Sequence, residues 1–391
     1  MRILHIITRM IIGGAQENTL FNCLDLIKEY QDDCLLVTGP TEGPEGKLLS
    51  QGRAGGLPVE VLRNLQRAIH PIRDIQAYYQ LQTLIRNFRP DVVHTHSAKG
   101  GFLGRAAAWY AGVPVVIHSV HGAPFHPYQS GLARRLFILL ERWAAKRCHH
   151  LISVADAMTE LMVEAGVAPR EKFTTIYSGM DVEPFRGCEQ FRPEARQKLG
   201  YQQQHIVFGK IARLFNLKGH EYLIEAAREV ISDNPNCRFL LVGDGVLRES
   251  LEARIRQFEL QPYFQFTGLV TPERIPYYLS AMDALVHTSL REGLARTLPQ
   301  ALIAGKPVVS YDIDGAREVV IPGQTGYLLP AKSTRELAVA LLELAASGEL
   351  RNRLGQGGAM RFTDQFRHQF MTGRIRDKYV QLLEQKAGRK P

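Results

Sequence analysis

The sequence predicts an α/β protein of two doubly wound domains, each a parallel sheet with helices on both faces. Three observations point there. Short β-rich runs alternate with helical periods along the chain. The alternation restarts after a polar stretch at Glu189–Gly200. The length, 391 residues, suits two domains. Hydrophobic residues make up 45% and charged residues 22%, which excludes collagen, a disordered tail and a small disulfide scaffold.

The first block opens with a strand at Ile3–Thr8, then Gly13-Gly14 and a helix over Ala15–Tyr30. A strand at Asp33–Thr38 leads into a Gly/Pro-rich loop over Gly39–Gly56. Pro58–Leu62 reads as a strand, and Ile72–Phe88 as a helix stopped by Pro90. Strands follow at Val92–His94, Val115–Ser119, His150–Val154 and Thr175–Tyr177. Helices between them cover Gly101–Ala111, Gly131–Lys146 and Asp156–Ala165.

The second block has strands at His205–Ile211, Cys237–Val242, Phe264–Thr267, Ala284–Thr288 and Pro307–Ser310. Its helices are His220–Ser232, Leu247–Phe258, Ile275–Ala281 and Leu298–Ala304, with another from about Thr334. A last helix runs from Phe366 to Gln385. The domains are therefore expected at 1–185 and 186–372, with a closing helix over about 373–391 packing back on the first. They should face each other across a cleft at the C-terminal ends of their strands, where such folds bind ligands.

Five cysteines, an odd number with no CxxC pair, fit a reducing compartment and argue against a zinc knuckle. The apolar run in Met1–Ile7 is too short for a signal peptide, and no stretch is long enough to span a membrane. Leu136–Leu140 reads as a buried helix face. The net charge of +9 favours anionic partners. Gly131–His150 holds five Lys/Arg against one Glu, and Arg351–Pro391 ten against three acids. These stretches are either solvated helix faces or a surface that leans on anionic phospholipid.

Several post-strand loops carry chemistry. Gly13-Gly14 precedes a helix N-terminus, which favours an anion, but the GxGxxG fingerprint is absent. Arg213 and Lys218 suit a diphosphate. Glu292-Gly293, flanked by Arg291 and Arg296 and followed by Thr297, can accept from sugar hydroxyls and offer backbone N–H groups to phosphate. Gln300 lies about two helical turns further on, and Glu318 sits in a second Gly-rich region. His94, His96 and Lys99 follow one strand, and His118, His121 and Gly122 another. No carboxylate or cysteine completes a metal set with these histidines, so no metal is expected.

The order and spacing of these motifs resemble glycosyltransferase family 4, retaining enzymes with the GT-B fold of two Rossmann-like domains. The resemblance rests on Gly13-Gly14-Ala15-Gln16, His94-Thr95-His96-Ser97, Lys99-Gly100, His121-Gly122 and Tyr177-Ser178-Gly179-Met180-Asp181. It continues through Arg213, Lys218-Gly219, Val242-Gly243-Asp244-Gly245, Glu292 to Leu302, Gly315 to Glu318 and Gly323-Gln324-Thr325-Gly326. It implies a nucleotide-sugar donor (UDP-, GDP- or ADP-linked), no metal and no other cofactor. His121, Arg213, Lys218 and Glu292 become the catalytic candidates. Gly13, Gly14, Gly243, Asp244, Gly245, Arg291, Gly293, Leu294, Ala295, Arg296, Thr297 and Gln300 become donor-binding. His96, Lys99 and His118 fall on the acceptor side.

The second glutamate of the family's E-x7-E motif is replaced here by Gln300. The implied activity is transfer of a sugar to a glycan or lipid-linked acceptor in cell-envelope or exopolysaccharide biosynthesis. The implied place is the cytoplasm, with a peripheral seat on the membrane's inner face left open. A catalytically degenerate sugar-nucleotide binder and a nucleotide-sugar epimerase are the alternatives. Nucleic acid is not an expected partner, for want of a stacking platform or zinc finger.

Overall fold

The computed structural model describes residues 1–11, 13–40 and 47–388. The middle of the expected Gly/Pro-rich loop (41–46) and the end of the expected closing helix (389–391) lie outside the described residues. The chain forms two compact units. One is Met1–Met180 together with the chain from Gln365 onward, and the other is Asp181–Asp364.

The first unit has strands β1 (Arg2–Ile7), β2 (Asp33–Thr38), β3 (Val59–Val61), β4 (Val92–His96), β5 (Val115–Val120), β6 (His150–Ser153) and β7 (Phe173–Thr175). They pair in parallel in the order 3-2-1-4-5-6-7. Its helices are α1 (Gly14–Lys28), α2 (Lys47–Ala54), α3 (Pro71–Phe88), α4 (Ala98–Tyr110), α5 (Gly131–Ala145) and α6 (Asp156–Glu164). Strands buried on both faces explain the near-continuous apolar runs of β1 and β5.

The second unit begins with the short helices α7 (Glu183–Arg186) and α8 (Arg192–Lys198). Its strands β8 (Ile206–Ile211), β9 (Cys237–Val242), β10 (Phe264–Phe266), β11 (Ala284–His287), β12 (Val308–Tyr311) and β13 (Gly326–Leu329) pair in the order 10-9-8-11-12-13. Helices α9 (His220–Asp233), α10 (Arg248–Gln257), α11 (Ile275–Ala281), α12 (Thr297–Ile303), α13 (Thr334–Ala346) and α14 (Gly348–Phe362) surround them. The first six positions of both sheets thus share one strand order. In each, the order reverses beside the first strand, between β1 and β4 and between β8 and β11.

The last helix, α15 (His368–Ala387), packs on α1 and belongs to the first unit. His368 Nδ1 and Thr372 Oγ1 both lie 2.8 Å from Asp25 Oδ2, and Arg376 Nε donates to Asp32 at 2.8 Å. Met371, Ile375 and Tyr379 enter the core with Ile3, Cys23 and Leu26.

Some expectations need correcting. Residues 47–54, expected as loop, form α2. The last strand of the first unit lies at Phe173–Thr175, ahead of Thr175–Tyr177. β13 and α14 were not expected at all. The α14 glycines argue against a helix, yet they allow close packing. A Cβ on Gly355 would lie 2.0 Å from the Gly305 carbonyl oxygen, and one on Gly358 2.7 Å from Leu302.

The run Leu136–Leu140 is not a buried face. Leu136 is 54% and Leu139 58% exposed, and Leu132 reaches 82%. Only one side of α5, through Glu141, Ala144 and Ala145, is buried. A five-residue run wraps more than a full turn, so packing against one layer leaves its other side outside.

Candidate functional site

In the second unit the candidates gather where the strand order reverses. The loop after β8 carries Arg213 and Lys218, and the loop after β11 carries Arg291 through Arg296. The two loops meet: the Lys218 ammonium pairs with Glu292 Oε1, and Leu290 N donates to the Leu217 carbonyl at 2.8 Å. Gly219, at φ 66°, permits the approach. A Cβ there would lie 1.9 Å from the Thr288 carbonyl oxygen.

Glu292 is also held from behind. Its backbone N–H donates to Asp314 Oδ2 at 2.6 Å, and Gly315 N donates to the Gly293 carbonyl at 3.0 Å. His287 Nε2 stands 3.8 Å from Glu292 Oε1. Burial raises the Glu292 carboxyl, but His287 and the Lys218 charge outweigh it and bring it to about 2. Glu292 is therefore a fixed anion at neutral pH, able only to accept hydrogen bonds.

Lys210 lies fully buried beside this pair and donates to Thr288 Oγ1 at 2.9 Å. Burial, then the Lys218 charge, lowers its ammonium to about 7. Sequence reading missed Lys210, His287 and Asp314. The first two sit inside strands, where apolar neighbours hide them. Asp314 was passed over in the Gly-rich turn that drew attention to Glu318.

Arg213 is exposed, with its guanidinium 5.1 Å from the centre of the Phe215 ring. Its carbonyl faces His220 Nε2 at 3.1 Å. Gly243, at φ 139°, lets the β9 turn lie against the β8 loop, where a Cβ would sit 2.1 Å from the Ala212 carbonyl. Asp244 and Gly245 continue that turn, and Leu214 N donates to the Asp244 carbonyl at 2.9 Å. Gly293, Leu294, Ala295, Arg296 and Thr297 are half-buried around the α12 start. Gln300 is half-buried on α12, one residue short of the fully buried Ala301.

In the first unit, the loops after β1 and β4 also meet at the reversal. Thr8 Oγ1 lies 2.7 Å from Ser97 Oγ and accepts from Gly100 N at 2.8 Å. Gly13 caps α1, which starts at Gly14. The histidines do not form one loop cluster. Register places His5 opposite His94, so His5, His94 and His96 share a sheet face. His118 pairs with Thr95 and so faces the other side, where Thr95 Oγ1 is 2.9 Å from its Nδ1. Gly101 of α4 makes room for it, since a Cβ would lie 2.4 Å from the His118 ring.

His96 is fully buried and so does not front a substrate space. Its Nδ1 lies 3.1 Å from His121 Nε2 and its Nε2 3.0 Å from His5 Nδ1. His94 Nδ1 lies 2.5 Å from the Tyr379 hydroxyl and its Nε2 2.8 Å from Ser119 Oγ. Burial lowers His94 and His96, and neighbouring histidines add to this; it brings His5 to about 3. All three are neutral.

A third histidine that sequence reading did not place, His5, joins His94 and His96, and the three offer ring nitrogens within 4.8 Å of one another. An ion there would displace the hydrogen bonds that already occupy both nitrogens of His94 and His96.

Lys99 reaches Asp74 Oδ1 at 2.7 Å and lines a cavity of about 630 Å³ within this unit. Arg9 and Arg67 join it on the polar side. Phe102, Leu103, Phe137 and Leu140 form the apolar wall.

Comparison with known proteins gives the following likenesses. Residues 191–361 match the family of glycosyl transferases group 1, and residues 24–179 the glycosyl transferase 4-like domain. A UDP-Gal:alpha-D-GlcNAc-diphosphoundecaprenol alpha-1,3-galactosyltransferase of Escherichia coli is 28% identical over 389 residues, covering 99% of this chain and 98% of its own. The capsular polysaccharide biosynthesis glycosyltransferase CapM of Staphylococcus aureus is 22% identical, over 83% of this chain and 86% of its own. The solved structure of Anabaena Alr3699/HepE in complex with UDP superposes with a TM-score of 0.83 at 23% identity, over 97% of this chain and 100% of that one. The chain has the GT-B fold, two Rossmann-like α/β domains that carry group 1 and 4-like glycosyltransferase domains.

Proposed function

We propose that this chain is a retaining glycosyltransferase of family 4. It moves a sugar from a nucleotide-sugar, a UDP-sugar first among them, to a lipid-linked or glycan acceptor in envelope or exopolysaccharide synthesis. The observation that carries the reading is the Lys218–Glu292 pair, fixed at the switch point of the second sheet with Arg213 on the same loop. The E. coli relative's name supports a lipid-diphosphate acceptor, and the HepE complex supports uridine.

In this reading the second unit holds the donor. Arg213 and Lys218 neutralise the departing diphosphate, the task a divalent metal would otherwise perform. Glu292, anionic and immobile, accepts hydrogen bonds from donor-sugar hydroxyls. Gln300 offers a single acceptor to the ribose where a carboxylate would offer two oxygens. No side chain of the site is an evident nucleophile, so same-face attack follows, with the leaving phosphate taking the acceptor proton.

The first unit takes the acceptor. Arg9, Arg67 and Lys99 suit its charged part, and the Phe102–Leu140 wall an apolar one. Beside that wall, α5 exposes Leu132, Leu136, Leu139 and Trp143, with Arg134 and Arg135 on the same helix. This face suits an anionic membrane surface. No helix among the described residues is long and apolar enough to cross a membrane.

The test is binding and slow hydrolysis across UDP-, GDP- and ADP-sugars, with and without EDTA. A hit that survives EDTA is expected. Binding to none of them would overturn the reading, and binding without any turnover would favour the degenerate alternative that Gln300 raises.

A further inference from the structure

The first unit contains a hydrogen-bonded line of three histidines that ends in the core. His121 Nε2 meets His96 Nδ1 at 3.1 Å, and His96 Nε2 meets His5 Nδ1 at 3.0 Å. The line stops there, because His5 Nε2 is buried without a hydrogen-bond partner. His5 and His96 are both fully buried and neutral. A neutral imidazole carries one N–H and one lone pair, so each ring can donate at only one end. The line therefore has two states. Either every ring donates outward, toward His121, or every ring donates inward, toward His5.

The dead end decides between them. Inward donation would leave the His5 proton on Nε2, a buried donor that makes no hydrogen bond. Outward donation leaves a lone pair there. Cys23 Sγ, Cys34 Sγ and a His5 ring nitrogen lie within 4.8 Å of one another, while His5 Nδ1 is taken by His96. Burial keeps the Cys23 thiol protonated. A thiol S–H can donate to a ring-nitrogen lone pair, a good acceptor, whereas its sulfur accepts an N–H only weakly, so the pair favours a lone pair on His5.

We infer that His5 and His96 are positioning residues that hold His121 in one tautomer, with its Nε2 accepting from His96 and its proton on Nδ1. In that state His121 offers a donor. It can steady an oxygen that gains negative charge, and it is not poised to take the acceptor's proton through Nδ1. The kinetic part of this inference rests on the reading of His121 as a reaction-centre residue; the tautomer does not.

The experiment is long-range ¹H–¹⁵N NMR on the full chain labelled at histidine, with turnover of whichever nucleotide-sugar the donor panel identifies. In the wild type, His121 Nδ1 should give the pyrrole-type signal and Nε2 the pyridine-type signal. His96→Phe should release His121 toward the Nε2–H form and lower kcat about tenfold or more, with donor affinity unchanged. His96→Gln, whose amide can still donate, should recover the tautomer and part of kcat. A pyrrole-type Nε2 in the wild-type chain overturns the inference with no variant needed. An unmoved His121 tautomer in His96→Phe overturns it as well. The expected tautomers with unchanged kcat in both variants would leave the arrangement standing and remove His121 from the reaction centre.

Discussion

Glu292 and Lys218 show what one ion pair can do when it is pinned from several sides. Lys218, His287 and the Asp314 contact leave Glu292 a single charge state and little freedom. Lys218→Ala strips the carboxylate of its partner and the donor of a cation. It should weaken nucleotide-sugar binding by about 100-fold, read by titration calorimetry, since losing one member of a half-buried charge pair that the bound donor covers costs about 2–5 kcal/mol. Glu292→Gln keeps the shape and loses the charge, so kcat should fall more than affinity. Gln300→Glu tests the ribose contact. Tighter donor binding is expected if the site still suits a carboxylate, and a large loss would show that it has adapted to the amide.

Lys210 makes a residue-scale prediction about pH. Its folded-state value of about 7 lies below that of an unfolded lysine, about 10.4. Between these pH values the unfolded chain holds the proton and the folded chain does not. Stability therefore rises with pH across that window, and below about pH 7 the full penalty of a buried charge is present. Lys210→Met should flatten that slope and stabilise the fold at neutral and lower pH. Urea melts of both proteins across the window would show it, and parallel slopes would contradict it.

At the scale of elements, close packing explains why glycines sit where they do. α4 can lie on β5 because Gly101 leaves space for the His118 ring. Gly101→Ala should shift His118 away from Thr95 and cost about 1–3 kcal/mol, measured by thermal melting. α5 poses the opposite case, a helix whose apolar run outlasts its buried side. Charging that face with Leu136→Asp and Leu139→Asp should abolish sedimentation with anionic vesicles and leave the melting temperature nearly unchanged. Added salt should weaken the wild-type binding.

At the scale of the molecule, the chain leaves the first unit after Met180 and comes back at Gln365. α15 supplies Tyr379 to His94 and three further side chains to Asp25 and Asp32. A chain ending at Asp364 should therefore lose the first unit's cooperative transition while the second unit still melts. A calorimetric trace with both transitions intact would show α15 to be dispensable.

Local signals were enough for most elements. Period and punctuation placed every strand but β13, the long helices other than α14 and the restart of the pattern, because each needs only neighbours in sequence. Lys218, Glu292 and His121 could be picked out as candidates because post-strand loops of doubly wound sheets are where ligands bind. The sequence by itself thus determined the two-block α/β plan and pointed to the post-strand loops proposed to bind the substrates. Only tertiary structure decided which side chains meet. β1 and β4 are far apart in sequence, so nothing local tells that His5 stands opposite His94 or that it ends a line reaching His121. The same holds for Asp314 behind Glu292, for Lys210 beneath it, and for the α5 face left outside. Burial and pairing across the sheet set each of these, and both are properties of the assembled layers rather than of any one segment.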